Sequence, residues 1–302
     1  MSSLELINLL KESNKLYVKI LKELETNYNS FNFGNSIDFA YSKSFIINFK
    51  KNFFTLLMIS LLIKSELEER EIISYGKIIF SLRSIVTSTD NIIDNEEKNV
   101  TRIKDIPEIV SRNIFNLMIH QEIINDEIKN MNGSSRAFKI VLEKFFLIAK
   151  SESLRNMSLY EKYPSISTVE NNIHKGIGGE LLQLSLTVPL ILENNLLLKN
   201  YNEGLFHIGM ALQALDDLVD VEEDRENKKV NLATSFFYEY GNGEKNVDAY
   251  LNFTVEKALH GFKILEENKY PINRKTSVYI LKKLFKIRGI DLKYIKVFNS
   301  FK

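Results

Sequence analysis

Only four prolines, Pro107, Pro164, Pro189 and Pro271, punctuate the 302 residues of this chain. Between them apolar residues recur at three- and four-residue spacing, as in Leu4, Ile7, Leu10 and again in Leu16, Ile20, Leu24. That is the period of an amphipathic helix. Val, Ile, Tyr and Phe are plentiful, yet no alternating run is framed by the Asn-Gly or Asp-Gly turns of a hairpin. The spacing predicts helices near 3–27, 37–64, 67–95, 106–132, 135–158, 166–200, 203–226, 231–240, 245–268 and 273–288, with a short last turn near 291–299. Loops are expected at the breakers, among them Asn29–Asn35, Asn95–Asp105, Asn132–Ser135 and Gly241–Gly243. None is long enough for an interdomain linker, and no repeat of fixed period is found. The expectation is an all-α chain, a single domain over 1–302, built as one large helical bundle with room for a central apolar cavity.

Composition narrows the chemistry. The chain has no Cys, which excludes a disulfide scaffold, a thiolate nucleophile and Cys-based zinc or iron–sulfur sites. Its four histidines show no metal-ligand spacing. Lys+Arg 40 against Asp+Glu 39 leaves a net charge of +1, so no global field recruits nucleic acid or an anionic membrane. The N-terminus lacks the basic start and apolar run of a signal peptide. The apolar run Phe53–Ile63 is about half the ~20 residues that a transmembrane helix needs, so no transmembrane segment and a cytoplasmic location are expected.

Two acidic clusters stand out. The first is Thr89-Asp90-Asn91-Ile92-Ile93-Asp94, at the end of an apolar helix. Asp90 and Asp94 are four apart, so on a helix they differ by about 40° and lie roughly 5–6 Å apart. Like charges so placed oppose each other, and near a helix C-terminus they also oppose the macrodipole. In the second, Asp216, Asp220 and Asp224 make three carboxylates at successive i+4 steps, interleaved with Leu215, Leu218, Val219 and Val221. Unpaired, these acids would raise each other's pKa. A hard divalent ion such as Mg²⁺ is the natural neutraliser, and Mg²⁺ usually takes one or two carboxylates and completes its shell with phosphate oxygens and water. The pair of clusters therefore points to a polyphosphate substrate bridged by metal.

These residues resemble those of the class I isoprenoid (terpene) synthases. Asp90-Asn91-Ile92-Ile93-Asp94 is similar to their first aspartate-rich motif, and Gln213 to Asp220, Gln-Ala-Leu-Asp-Asp-Leu-Val-Asp, to their second. The likeness is best over residues 80–230. It implies an α-helical bundle whose apolar cavity is capped by the two motifs. Asp90 and Asp94 would be Mg²⁺ ligands on one wall, and Asp216, Asp220 and Asp224 on the other. The Mg²⁺ ions, several of them, would be bound together with the diphosphate of an allylic prenyl substrate. Of these ligands, Asp90, Asp94, Asp216 and Asp220 would be catalytic. A homodimer is compatible with the resemblance.

Departures from the pattern sort the chemistries that the resemblance allows. Chain-elongating prenyl diphosphate synthases carry an arginine pair after the first motif and an upstream Gly-Gly-Lys-x-Arg segment; neither is present here. A single diphosphate site suits a terpene synthase, and the i, i+4, i+8 spacing of the second cluster is similar to that of bacterial terpene synthases with squalene- and phytoene-synthase-like motifs. The expected activity is thus Mg²⁺-dependent ionisation of a prenyl diphosphate to a cyclised or linear terpene. The alternatives are a prenyltransferase on the same scaffold, elongating or head-to-head, and a non-catalytic partner subunit. Around the acids, Arg83, Lys175, Arg225, Lys228 and Lys229 are candidate diphosphate contacts. Gly178, Gly179 and Gln213 are candidate cavity residues, the glycines lying in a run, His174-Lys175-Gly176-Ile177-Gly178-Gly179-Glu180, expected to break its helix.

Overall fold

The computed structural model describes residues 3–31, 33, 36–94, 97, 101–131 and 135–290. The expected turn at 291–299 and residues 95–96 lie outside these. In chain order the elements are α1 (Ser3–Ser30), β1 (Ile37–Phe39), α2 (Phe45–Lys51), α3 (Phe53–Lys64), α4 (Glu69–Asp94), β2 (Thr101–Ile103), α5 (Ile109–Asn130) and α6 (Ser135–Ser153). A 3₁₀ turn (Met157–Leu159) leads to α7 (Ile166–Val169), which runs on as a π-helix (Glu170–Glu180) into α8 (Leu181–Gln183). After a second 3₁₀ turn come α9 (Thr187–Glu193), α10 (Leu196–Val219), α11 (Val221–Glu226), α12 (Leu232–Tyr240), α13 (Glu244–Glu267) and α14 (Arg274–Ile287). Among the described residues the fold is all-α apart from one short antiparallel ladder, Ile37↔Ile103, Asp38↔Arg102 and Phe39↔Thr101, and an isolated antiparallel bridge between Asn156 and Lys229.

Three expected helices are divided, 203–226 among them, at Asp220 between α10 and α11. The stretch 37–64 holds β1, α2 and α3, and α2 and α3 meet at 105°. No proline marks the bend. Asn48 is buried and donates from Nδ2 to Asn14 Oδ1 (2.8 Å) and the Ser42 carbonyl (2.9 Å), while Asn52 leaves helical geometry at φ −128, ψ 28. The Asn48 side chain thus ties α2 to α1 and to the segment before it, while backbone bonds from Asn52 N to the Asn48 carbonyl (2.7 Å) and from Leu56 N to the Asn52 carbonyl (3.0 Å) run through the bend. Beyond the bend α3 is buried over Phe53 and Thr55–Leu62, whereas α2 leaves Ile46 and Ile47 exposed. By length and composition α2 and α3 together would suffice to cross a membrane, but no single helix among the described residues would. The second divided stretch, 166–200, ends α9 at Asn194, which adopts φ +45, and Asn195 Oδ1 then accepts from the N–H groups of Leu197 and Leu198 to start α10. Pro189 sits in the first turn of α9, where its missing N–H costs nothing.

The chain divides into two compact units. One comprises Leu4–Ile140 with Ser185–Leu198, the other Val141–Leu184 with the chain from Lys199 onward. The core of the first contains Ile20 and Leu24 of α1, Ile59 and Leu62 of α3, Ile78 of α4 and Ile123 of α5, all buried. Gly76 lets Ile20 close on α4, since a Cβ there would collide with the Ile20 side chain. The second unit has a core of Val169, Ile173, Ile177, Ala214, Leu232, Phe237 and Tyr250, which draws the π-helix, α10, α12 and α13 together directly under the second acidic cluster.

Candidate active site

The first cluster closes α4. Asp90 and Asp94 are exposed on its last turn, while Asn91 between them is buried and its Nδ2 donates to Asn113 Oδ1 on α5 (3.2 Å). Arg83, a candidate diphosphate contact two turns earlier, instead donates from Nη1 to Asn52 Oδ1 (2.9 Å) and Thr55 Oγ1 (3.2 Å).

The second cluster spans the junction of α10 and α11. Helical hydrogen bonds continue across it, Asp220 N to the Asp216 carbonyl (3.0 Å) and Asp224 N to the Asp220 carbonyl (2.8 Å), so the expected i+4 register is present. The three carboxylates nonetheless have different surroundings. Asp216 is half-buried; burial, with Asp217 and Asp220 nearby, pushes its carboxyl up to about 6 against the opposing pull of Arg288. Arg288 Nη1 lies 2.6 Å from Asp216 Oδ1, but out of line, so that buried oxygen has no hydrogen bond. Asp220 is exposed at the N-cap of α11, and partial burial together with Asp224 and Glu223 raises its carboxyl too.

Asp224, expected as a third ligand, is committed elsewhere. It is buried, and its Oδ2 accepts from Arg155 Nη2 (2.8 Å) and Asn231 Nδ2 (2.6 Å). Asn231 in turn caps α12 through a reciprocal bond pair with Thr234. Asp224 therefore holds the turn after α11 and the start of α12 in place, a structural duty that spacing alone does not reveal.

Asp217 is the residue that the i+4 pattern passes over. One position round the helix from Asp216, it is buried; its Oδ1 accepts from Gln213 Nε2 (2.8 Å) and its Oδ2 from the backbone N–H of Leu232 (3.1 Å). His174 of the π-helix is also buried, with Nδ1 3.5 Å from Asp217 Oδ2. The expected break in the glycine run is absent: the helix widens to π geometry instead, a form that often marks functional sites.

Gly178, Gly179 and Gln213, expected at a cavity wall, belong to a close helix crossing within this unit. A Cβ on Gly178 would lie 2.8 Å from Gln213 Cβ and 3.0 Å from the Gly209 carbonyl, and one on Gly179 would collide with the Phe206 ring. The apolar space beside α10, lined by Leu212, Leu215, Phe262 and Phe285 among others, amounts to about 10 Å³. That is no more than one water needs. The basic candidates have local partners. Lys175 is exposed and donates to Asn171 Oδ1 (2.7 Å), and Arg225 pairs with Glu222 (2.9 Å). Lys228 turns the chain at φ +53, and its carbonyl accepts from Met157 N, while Lys229 N–H bonds the Asp224 carbonyl.

What the second cluster offers chemically is two carboxylates raised by burial and by neighbouring acids, with Arg288 as the cation beside Asp216. Among the described residues no three His, Cys, Asp or Glu side chains are gathered to hold a metal by themselves. Asp216 and Asp220 are two oxygen donors whose raised carboxyls and orphaned oxygen fit an ion that brings its remaining ligands with it, as Mg²⁺ does with a diphosphate.

No protein-family model matches the chain, and no curated protein sequence does. Solved structures do. The chain is similar to a geranylgeranyl pyrophosphate synthetase from the archaeon Geoglobus acetivorans, at 15% identity over 92% of this chain and 98% of that one, with a TM-score of 0.56. It is similar to a geranyltranstransferase from Thermotoga maritima at 17% identity, covering 79% and 85% of the two chains with a TM-score of 0.54. A decaprenyl diphosphate synthase from Rhodobacter capsulatus matches at 11% identity over 78% and 84%, with a TM-score of 0.52. At such identities it is the fold that is shared. The chain has the all-helical fold of the class I isoprenoid synthases.

Proposed function

We propose that the protein is a prenyltransferase-type enzyme, which releases diphosphate from an allylic prenyl diphosphate and passes the prenyl group to an acceptor. The observation that supports this most is the pair Asp216 and Asp220, whose carboxyls stay raised despite Arg288, on a fold shared with prenyl diphosphate synthases. The named activities of those neighbours favour transfer over the terpene synthase reading that the motif spacing suggests.

Asp216 and Asp220 would hold Mg²⁺, and Asp90 and Asp94 carry the same chemistry at the end of α4. The ion supplies charge neutralisation for the departing diphosphate. Asp217 acts through its neighbours: by accepting from Gln213 and from Leu232 N–H it pins the last turn of α10 to the start of α12, and so fixes the direction of Asp216. Asp224 does the same for the far end of the acidic stripe through Arg155 and Asn231. Arg288 keeps Asp216 ionised when no cation is bound.

The absent arginine pair still favours ionisation of a single substrate without transfer, and products distinguish the two. Purified protein is incubated with Mg²⁺ and geranyl, farnesyl or geranylgeranyl diphosphate, with and without isopentenyl diphosphate. A longer diphosphate, or a coupled prenyl product, supports transfer. Hydrocarbon or alcohol from the single substrate supports the synthase, and no turnover of any substrate contradicts both.

A further inference from the structure

Helices α4 and α5 run antiparallel in the same compact unit, and buried polar pairs cross their interface. Lys77 Nζ meets Glu127 Oε1 (2.5 Å), Ser81 Oγ meets His120 Nδ1 (3.1 Å), Asn116 Nδ2 donates to Ser88 Oγ (2.7 Å) and Asn91 Nδ2 to Asn113 Oδ1 (3.2 Å). All eight residues are buried. His120 is further fixed by Tyr28 Oη at 3.2 Å from its Nε2. Apolar side chains would fill this interface at less desolvation cost; what pairing adds is register. A slip of α4 by one turn would strand every one of these groups at once, and a buried polar group without its partner is costly.

The register matters most at the last rung. Asn91 lies inside the first acidic cluster, about 100° round the helix from Asp90 and about 60° from Asp94, so it can be buried while both acids stay exposed. The final turn of α4 would otherwise tend to fray: it is terminal, it carries two like charges four apart, and both oppose the helix dipole. Asn113 is itself held, its Nδ2 donating to the Ile109 carbonyl (3.0 Å) in the first turn of α5. We infer that Asn113 is a positioning residue for the first acidic cluster, anchoring Asn91 so that Asp90 and Asp94 stay on an intact helical turn. The residue between the two aspartates is then a structural anchor, not a degenerate ligand. The inference rests on the Mg²⁺-dependent prenyl chemistry proposed above for its functional consequence, though not for the anchor itself.

The test uses the full chain with Asn113→Leu, which fills a similar volume but removes the acceptor. Hydrogen exchange at the amides of residues 90–94, measured without metal, should speed up by about tenfold, the scale of one lost buried hydrogen bond. The Mg²⁺ concentration for half-maximal diphosphate release should rise by about tenfold, while turnover at saturating Mg²⁺ stays within about twofold. Making both positions apolar, Asn91→Leu with Asn113→Leu, removes both buried amides and should restore slow exchange. If Asn113→Leu does not fold, Asn113→Ser, which shortens the side chain out of reach, gives the same two readings. Unchanged exchange, or an unchanged Mg²⁺ requirement in an active enzyme, overturns the inference. Absence of turnover in the wild type would count against the proposed function alone, because exchange then still decides the anchor.

Discussion

Arg288 Nη1, at the C-terminal end of α14, lies 2.6 Å from Asp216 Oδ1 at the end of α10. A cationic side chain thus stands against the most buried of the carboxylates proposed to take Mg²⁺, and lowers a carboxyl that burial otherwise pushes up to about 6.

A pH dependence follows. Because the folded carboxyl of Asp216 is raised above its ordinary value, the fold favours the protonated form. The group therefore costs no stability below about pH 4 and costs its full amount above about pH 6. Asp216→Asn should raise the Tm of the metal-free protein at pH 7.5 by a few degrees, the scale of ~1 kcal/mol, and leave it unchanged at pH 4. Melting curves at the two values check this. Since a ligand must give up its proton, the Mg²⁺ requirement of the wild type should grow as pH falls below about 6, approaching tenfold per unit.

Asp220 and Asp224 should part company. Asp220 is exposed and destabilised by its neighbours, so Asp220→Asn should lower turnover by at least ~100-fold with Tm unchanged or higher. Asp224→Ala breaks a buried pair with Arg155, whose side chains are 6% and 16% exposed, and frees the Asn231 cap. Its main effect should be a loss of roughly 3–5 kcal/mol of stability, read by urea denaturation. Equal behaviour of the two variants would mean that the i+4 stripe acts as one unit.

The crossing of the π-helix with α10 should be intolerant of a single methyl group. In Gly209→Ala the new Cβ would collide with the Gly178 carbonyl, which is backbone and cannot swing aside. A cost of about 1–3 kcal/mol is expected. Gly243→Ala, where nothing lies within 4 Å, should stay close to wild type in the same denaturation experiment.

Periodicity carried most of the helical plan because burial here follows a stripe: α4 was expected at 67–95 and is found at Glu69–Asp94, and α13 at 245–268 is found at Glu244–Glu267. It missed the bend at Asn52, which no breaker residue marks; nearby, the Asn48 side chain bonds Asn14, 34 residues earlier, a meeting that periodicity does not show. It also missed β1 and β2, three residues each, too short to show alternation. At the site, equal i+4 spacing grouped Asp216, Asp220 and Asp224, but partners decide their roles, and Arg155 comes from 69 residues away. Nothing local distinguishes Asp224 from Asp220. Asp217 was visible as part of Asp216-Asp217-Leu218-Val219-Asp220, yet its burial depends on Leu232 N–H closing over it.

The central claim is that Asp216 and Asp220 serve Mg²⁺-dependent departure of diphosphate, and release of inorganic diphosphate measures it most directly. Wild type, Asp216→Asn and Asp220→Asn are each mixed with farnesyl diphosphate over a Mg²⁺ titration, and free diphosphate is followed with time. The account predicts release by the wild type that depends on Mg²⁺, and at least ~100-fold slower release by both variants at every Mg²⁺ concentration. Release at the wild-type rate by both variants would contradict it.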